Sequence, residues 1–339
     1  MVSMAQRTLW TGILYLMIFI SFSCGSQKNP WQNTDIDRIP EPAVAIYRYE
    51  EALFSADTTR FATEIGHMMD TYAVFLGNAP PDPAGIHQLL EYIRDPFIQE
   101  LNRMIQSAYP DLQEQEVQLS EAFRYYSYYF PDQAVPEVYT YISGVDYQNP
   151  VLFQPPHLLI ALDMYLGADY EPYRQLGVPA YLIRNFTREF LVRDCVSELA
   201  AFHMKDHYPG DDVLAKMIVE GKKLYFLDAI LPLEEDSVKI GYTDEQLKWC
   251  FENESNLWKF FIENAVLYST DIQIINKFFS DGPFTRGFPN SPARLGTWLG
   301  WQIVRSYMEG HPGLKLQDLL AENDVRKILT DSGYKPDKN

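Results

Sequence analysis

Val138-Tyr139-Thr140-Tyr141-Ile142 is the stretch that decides the fold class, because the residue pattern changes there from helical to extended. β-branched and aromatic residues dominate this run, and Ser143-Gly144 ends it with a turn signal. Two more apolar runs follow, at residues 151–153 and 157–162. We therefore predict a small antiparallel sheet at about residues 136–166, inserted near the middle of a mainly α-helical (α+β) domain.

The segments on both sides of this predicted sheet have helical periodicity. Apolar residues recur at helical spacing from Ala43 to about Phe130, in a stripe that begins with Ile46 and Tyr49. Helices are expected to resume at about Pro179 and to continue to the end of the chain. Thr243-Asp244-Glu245-Gln246 is a capping box that marks the start of one of them.

Residues 1–23 have the layout of a bacterial lipoprotein signal peptide. Arg7 is their one charge, an apolar run extends from Thr8 to Ile20, and small residues stand before Cys24. A cysteine at such a junction receives a diacylglycerol on its thiol, with acyl chains such as palmitate, and becomes the new N-terminus. Ser21 stands where the recognition box usually has Leu, so an ordinary secretory signal or a short anchor helix are the alternatives. The apolar run is too short for a dedicated transmembrane span.

The expected domain organisation follows from this signal. Residues 24–42 form a polar, lipidated tether, and residues 43–336 form a single globular domain. The formal net charge of −18 excludes nucleic acid as a partner and repels anionic headgroups, so a lipid rather than a basic patch has to hold the domain at a membrane. We expect a cell-envelope protein that faces the periplasm, attached to either the inner or the outer membrane.

Two cysteines remain in the mature chain, Cys195 and Cys250. They are either a disulfide pair or two small buried hydrophobic residues. A disulfide-rich scaffold is excluded by the count alone.

His203-Met204-Lys205-Asp206-His207 is the one segment with two histidines at metal-ligand spacing. Residues at i and i+4 share one face of a helix and are able to bind one zinc ion. A metallopeptidase of this type needs Glu at position 204 to activate water, and Met204 does not supply a base. Solvated histidines at a helix end are the simpler interpretation, and no metal or other cofactor is predicted.

The segment from Lys277 to Trp301 combines a Gly-Pro-aromatic loop with a helix that carries two indoles. Phe284 lies in the loop, and Trp298 and Trp301 lie on the helix. One interpretation is a groove that accepts an extended polypeptide. The other is an irregular cover over the hydrophobic core.

Several sequence blocks are characteristic, among them Ile160–Gly167, Gly221–Ala229, Tyr268–Asp271, Asp281–Thr285 and Leu299–Arg305. These blocks resemble the GldB-type gliding motility lipoproteins of Bacteroidota, and the likeness extends from about Asp35 to Pro336. This resemblance implies a membrane lipoprotein that gliding requires, in a machinery shared with type IX secretion.

Relatives of this family are similar to gluzincin-like zinc peptidases, which implies a degenerate zincin-like core. The active helix would then fall near Ser197–Ala201, with Glu220-Gly221 as the second element. Ser197 and Ala201 stand where the pattern has histidine, so Glu198 and Glu220 remain without a metal. The resemblance therefore implies a pseudo-peptidase.

Two functions remain as hypotheses. The first is a non-catalytic envelope lipoprotein that binds other envelope proteins of the motility and secretion machinery. The second is a membrane-tethered, zinc-dependent hydrolase that uses His203 and His207. The absence of an acidic residue at position 204 favours the first.

Overall fold

The structure, a computed structural model, describes residues 36–207 and 209–336. The predicted signal peptide and the predicted lipidation site at Cys24 therefore lie outside the described residues. The chain is mostly helical and carries one small sheet, so the predicted α+β class is confirmed. A short 3-10 turn at Ile36–Arg38 precedes the elements of the first half, which are β1 (Ile46–Arg48), α1 (Tyr49–Ser55), α2 (Phe61–Met68), α3 (Ala73–Leu76), α4 (Pro83–Arg94), α5 (Pro96–Ala108) and α6 (Gln113–Tyr129).

The sheet has the strand order β1-β2-β4-β3. Its three later strands lie inside the predicted segment, whereas β1 lies far upstream. β1 pairs in parallel with β2, β2 pairs in parallel with β4, and only β3 and β4 are antiparallel. The later strands are β2 (Glu137–Tyr141), β3 (Val151–Gln154) and β4 (His157–Ala161).

The prediction of an antiparallel sheet was therefore wrong, and the sheet is mixed. The reason lies in the loop after β2. The buried Asp163 carboxylate accepts hydrogen bonds from the N–H of Ser143 (2.9 Å), the Ser143 hydroxyl (2.9 Å) and the N–H of Val145 (2.6 Å). These bonds hold the loop beside Asp163. Strand β3 then pairs with the outer side of β4 and does not pair with β2.

The second half is helical, as predicted. The capping box is confirmed, because the N–H of Gln246 donates to the Thr243 hydroxyl and the N–H of Thr243 donates to the Gln246 side chain. The helices are α7 (Glu171–Gln175), α8 (Ala180–Ile183), α9 (Arg188–Met204), α10 (Val213–Ile230), α11 (Asp236–Ile240), α12 (Asp244–Glu263), α13 (Ile272–Phe279), α14 (Leu295–Gly310), α15 (Leu316–Ala321) and α16 (Val325–Ser332).

The main hydrophobic core extends from α5 and α6 through the sheet to the C-terminal helices. A second, smaller cluster joins α1, α2 and α4 and packs against Tyr141 of the sheet. Helices α10 and α14 cross at the centre of the main core, with Gly221 and Gly300 at the crossing. A Cβ atom added at Gly300 would lie 2.6 Å from the carbonyl carbon of Met217, so the two backbones touch there.

Cys195 and Cys250 are both buried and free, so the buried-thiol alternative holds rather than the disulfide. Burial raises the pKa of both thiols. Among the helices of residues 36–207 and 209–336, none combines the length and the apolar character that a membrane span requires.

Contacts to the rest of the chain begin before residue 43. The Arg124 guanidinium donates to the carbonyl of Ile39 (2.7 Å), and the Ser120 hydroxyl accepts from the N–H of Val44 (3.3 Å). Both partners lie on α6. The segment before β1 is thus held along this helix.

Candidate functional site

Ser197, Glu198 and Ala201 lie on a half-buried face of α9. Helix α9 contacts both β3 and α10. The Ser197 hydroxyl donates to the carbonyl of Arg193 (2.9 Å), one turn earlier in the same helix. Ser197 is therefore hydrogen-bonded within its own helix.

The charge of Lys223 acts on both Glu220 and Glu198. The Lys223 ammonium forms an ion pair with Glu220 (3.2 Å), and its charge also acts on Glu198. Burial and the neighbouring Asp194 raise the pKa of Glu198, while Lys223 opposes that rise. Lys223 is therefore the ion-pair partner of Glu220, and its charge also favours the ionised form of Glu198. We call Ser197, Glu198, Ala201, Glu220 and Lys223 the α9–α10 surface.

His203 lies in an aromatic environment and not beside His207. Its ring stacks on Phe130 with centroids 4.2 Å apart, and its Nε2 lies 3.1 Å from the Tyr126 hydroxyl. Helix α9 ends at Met204, so His207 lies beyond the helix, where its N–H donates to the carbonyl of Met204 (3.0 Å). The two histidines therefore do not share a helical face. The favoured interpretation of both as solvated histidines at a helix end is wrong for His203, whose ring is half-buried among aromatic side chains.

Within residues 36–207 and 209–336, no group of three or more His, Cys, Asp or Glu side chains is arranged to bind a metal ion. His207 instead lines a pocket of about 500 Å³ at the start of α10. Glu220 and Lys216 line the same pocket, together with the apolar side chains of Val219 and Ile272. This pocket continues the α9–α10 surface toward α13.

The environment of His203 predicts a specific dependence of stability on pH. Burial lowers the pKa of His203 from 6.5 to about 4. The unfolded chain therefore binds a proton at His203 more readily than the folded chain does, and stability decreases as the pH falls from 6.5 toward 4. We expect His203→Phe to reduce the difference in melting temperature between pH 7.5 and pH 5 in thermal denaturation. If the difference in melting temperature were the same in His203→Phe as in the wild type, protonation of His203 would not be coupled to unfolding.

Trp298 and Trp301 do not form an accessible groove. Both side chains are fully buried, and Trp301 Nε1 donates to the Asp228 carboxylate (2.8 Å). Phe284 is 57% exposed in the loop before α14. The expectation of a groove lined by both indoles is corrected, because the close approach of α14 to α10 places these rings in the core. The loop fits the alternative of an irregular cover.

Sequence reasoning missed a buried network of charges between α10, α11 and α14. Asp228 is 3% exposed, and its carboxylate pairs with Arg305 (2.7 Å) and Lys239 (3.0 Å). Arg305 also binds Asp236 through two hydrogen bonds (2.7 and 2.8 Å). The sequence does contain a signal for this network, because Asp228 lies within the otherwise apolar C-terminal end of α10. A charged side chain that is buried requires a partner.

A family model described as gliding motility protein GldB matches residues 29–336 of the chain. This match covers all the described residues, including both hydrophobic clusters and the α9–α10 surface. No curated protein and no solved structure matches the chain.

Proposed function

The chain belongs to the GldB family of gliding motility lipoproteins, and from this premise we propose that it acts without catalysis. It is anchored to an envelope membrane through Cys24, faces the periplasm and binds another protein of the motility and type IX secretion apparatus. The α9–α10 surface is the site where that partner docks.

The observation that carries this proposal is the ion pair of Lys223 with Glu220 beside Glu198. A hydrolytic zinc site needs about three protein ligands and a base at an open coordination position. Ser197 and Ala201 supply no nitrogen ligand, and the carboxylate of Glu220 is already paired with Lys223. This arrangement supports a stable binding surface rather than a reactive centre.

The anchor is tested by replacing Cys24. In a gliding strain that lacks the gene, we expect Cys24→Ala to restore neither acylation nor colony spreading, because in this proposal the lipid on Cys24 holds the domain at the membrane. Metabolic labelling with a palmitate analogue measures acylation directly. Normal spreading with an unlabelled Cys24→Ala protein would contradict the anchor.

Two further variants separate binding from catalysis at the α9–α10 surface. A general base replaced by its amide lowers activity by about 10²-fold or more, so a hydrolase would lose function in the Glu198→Gln/Glu220→Gln double variant. We expect this variant to keep most of the spreading, because the amides preserve the shape of the docking surface and the amide oxygen at position 220 is still able to accept a hydrogen bond from Lys223. Ala201→Arg places a long charged side chain on the surface and should abolish spreading, while Glu252→Arg on exposed α12 is the matched control. Loss of spreading in the amide variant, together with stoichiometric zinc, would contradict the proposal.

A further inference from the structure

The pocket at the start of α10 lies between two helices. One wall consists of five residues whose spacing is that of a single helical face, namely Asp212, Ala215, Lys216, Val219 and Glu220. The opposite wall is formed by Ile272 and Ile275, which lie three residues apart on α13. The volume of about 500 Å³ is within the range of natural binding pockets and holds a few side chains.

The two walls meet solvent with apolar side chains. Val219 and Ile275 are half-buried, and Ile272 is 63% exposed at the first residue of α13. An exposed isoleucine on its own is ordinary, but this one lines a pocket whose interior continues to the side chains of Val219 and Ile275. An apolar side chain from another molecule would cover all three and remove them from water.

Two of the charged groups that line the pocket are already engaged within the chain. Glu220 forms an ion pair with Lys223 (3.2 Å). The Lys216 ammonium lies 5.6 Å from the centroid of the Phe279 ring, which is within the range of a cation–π contact.

Two aspartates stand at the end of the pocket that is closest to the start of α10. Asp212 caps this helix and accepts a hydrogen bond from the N–H of Ala215 (2.8 Å). Asp211 is exposed, and among the residues that the structure describes it has no ion-pair partner. With Lys216 and Lys223 set against Glu220 and the two aspartates, the pocket keeps a net negative charge at this end.

We propose that this pocket anchors the partner by taking an apolar side chain that is flanked by a lysine or an arginine. The inference rests on the proposed function and names the chemistry of the partner segment. The apolar side chain packs between Val219 and Ile275, and the basic side chain pairs with Asp211, because apolar walls and a local carboxylate select those two groups together. Glu220 belongs to both the pocket and the α9–α10 surface, so a segment anchored here continues across that surface.

Ile272→Asp tests the apolar half of the site. The side chain is exposed, and an aspartate in the first turn of a helix is favoured by the helix dipole, so the fold is retained. Leu233→Asp is the matched control, because Leu233 is 69% exposed and is not part of the pocket lining. Urea denaturation of both purified variants verifies the fold.

Asp211→Lys tests the charged half. Asp132→Lys is its control, since Asp132 is also exposed and is not among the pocket residues. Both changes alter the net charge of the chain equally, so any difference between them belongs to the position and not to the overall charge.

The probe is the photo-crosslinker p-benzoylphenylalanine at Thr270, an exposed residue of the pocket, in the full-length protein of gliding cells. Mass spectrometry then identifies the crosslinked peptide, which we expect to carry an apolar residue beside a lysine or an arginine. The adduct should decrease about tenfold in Ile272→Asp, the loss expected when an aliphatic side chain no longer packs. It should persist in Leu233→Asp.

A synthetic peptide with the crosslinked sequence completes the test, with binding to the purified protein measured by fluorescence anisotropy. Asp211→Lys should weaken binding about threefold or more, while Asp132→Lys should not. Replacing the basic residue of the peptide by glutamate should restore the affinity for Asp211→Lys. An adduct that is equal in Ile272→Asp, a crosslinked peptide with acidic flanks, an adduct with the mass of two copies, or no adduct would each overturn the proposal.

The outcome is separable from that of the proposed function. If Ile272→Asp and Asp211→Lys glide normally while Cys24→Ala and Ala201→Arg do not, the binding role stands and the pocket is not the anchor. If all four variants glide normally, the proposed function itself fails.

Discussion

Gly300→Ala is expected to lower the free energy of unfolding by about 3–5 kcal/mol, among the largest effects of any single substitution in the chain. An added Cβ would lie 2.6 Å from the carbonyl carbon of Met217 and 3.0 Å from its Cα. These atoms are backbone, so no side chain is able to move aside. Helices α10 and α14 would have to separate at the centre of the core.

A matched control is available in α2. Gly66 is exposed in the middle of this helix, and an added Cβ there meets no atom within 4 Å. Gly66→Ala should therefore be neutral or stabilise the protein by up to about 1 kcal/mol, because Ala has the higher helix propensity. Urea denaturation of the purified variants measures both values. If Gly300→Ala lay within 1 kcal/mol of the wild type, the close crossing described here would be wrong.

Gly221→Ala provides an independent check from the other helix. Its added Cβ would lie 2.9 Å from the backbone nitrogen of Trp301 and closer still to the carbonyl of Gly300. Both substitutions disturb one crossing, so the loss in the double variant should be smaller than the sum of the two single losses.

The parts of the fold that depend on local pattern were predictable from the sequence. The strands at 137–161 and the capping box at Thr243 each have a signal within a few residues. The three residues of β1 have no such local signal, because Ile46 continues the apolar stripe of the following helix. The strand order was also hidden, since it depends on Asp163 holding the loop at Ser143 and Val145.

The residues of the candidate site were predictable from the sequence, but the side chains that they contact were not. The spacing of Glu198 and Glu220 and the resemblance both point to these two residues, but neither reveals that Lys223 forms an ion pair with Glu220. For the two indoles of α14, the sequence did not reveal how deeply they are buried. Gly296 and Gly300 lie one turn apart on α14, a spacing that favours close approach of a neighbouring backbone, but only the structure shows that Trp298 and Trp301 are completely buried.

Acid should weaken the protein partly through Asp236. Burial alone would raise its pKa, but the hydrogen bonds from Arg305 and the charges of Arg305 and Lys239 outweigh it, so the pKa is lowered from 3.8. A carboxyl group whose pKa is lower in the folded protein than in the unfolded chain stabilises the fold at pH values above the unfolded-state pKa. The contribution of Asp236 is therefore fully present above pH 3.8 and is lost as the pH falls further.

The second large effect is expected from Asp228→Asn, which should lower the free energy of unfolding by about 3–5 kcal/mol. Oδ1 of Asp228 accepts from Lys239 and Arg305, and Oδ2 accepts from Arg305 and Trp301. Every direction around the carboxylate is therefore occupied by a donor. An amide nitrogen in either orientation would face donors, and Lys239, which is 2% exposed, would lose its closest counter-ion.

Replacing a carboxylate by an amide should lower the free energy of unfolding far less in an exposed ion pair than in a buried one. Glu252 pairs with Lys248 on the surface, where the two side chains are 61% and 74% exposed. Glu252→Gln should therefore change stability by less than about 0.5 kcal/mol. Thermal and urea denaturation of both amide variants, at one pH and one salt concentration, gives the comparison.

A double substitution tests whether the uncompensated lysine causes the loss. Lys239→Met removes the buried ammonium and keeps a side chain of similar length. If the loss in Asp228→Asn comes from the charge left at Lys239, the variant that carries both substitutions should be more stable than Asp228→Asn alone. If instead the loss comes from the bonds of Arg305 and Trp301 to Asp228, adding Lys239→Met should restore nothing. The second outcome would assign the energy of the network to α14 rather than to α11.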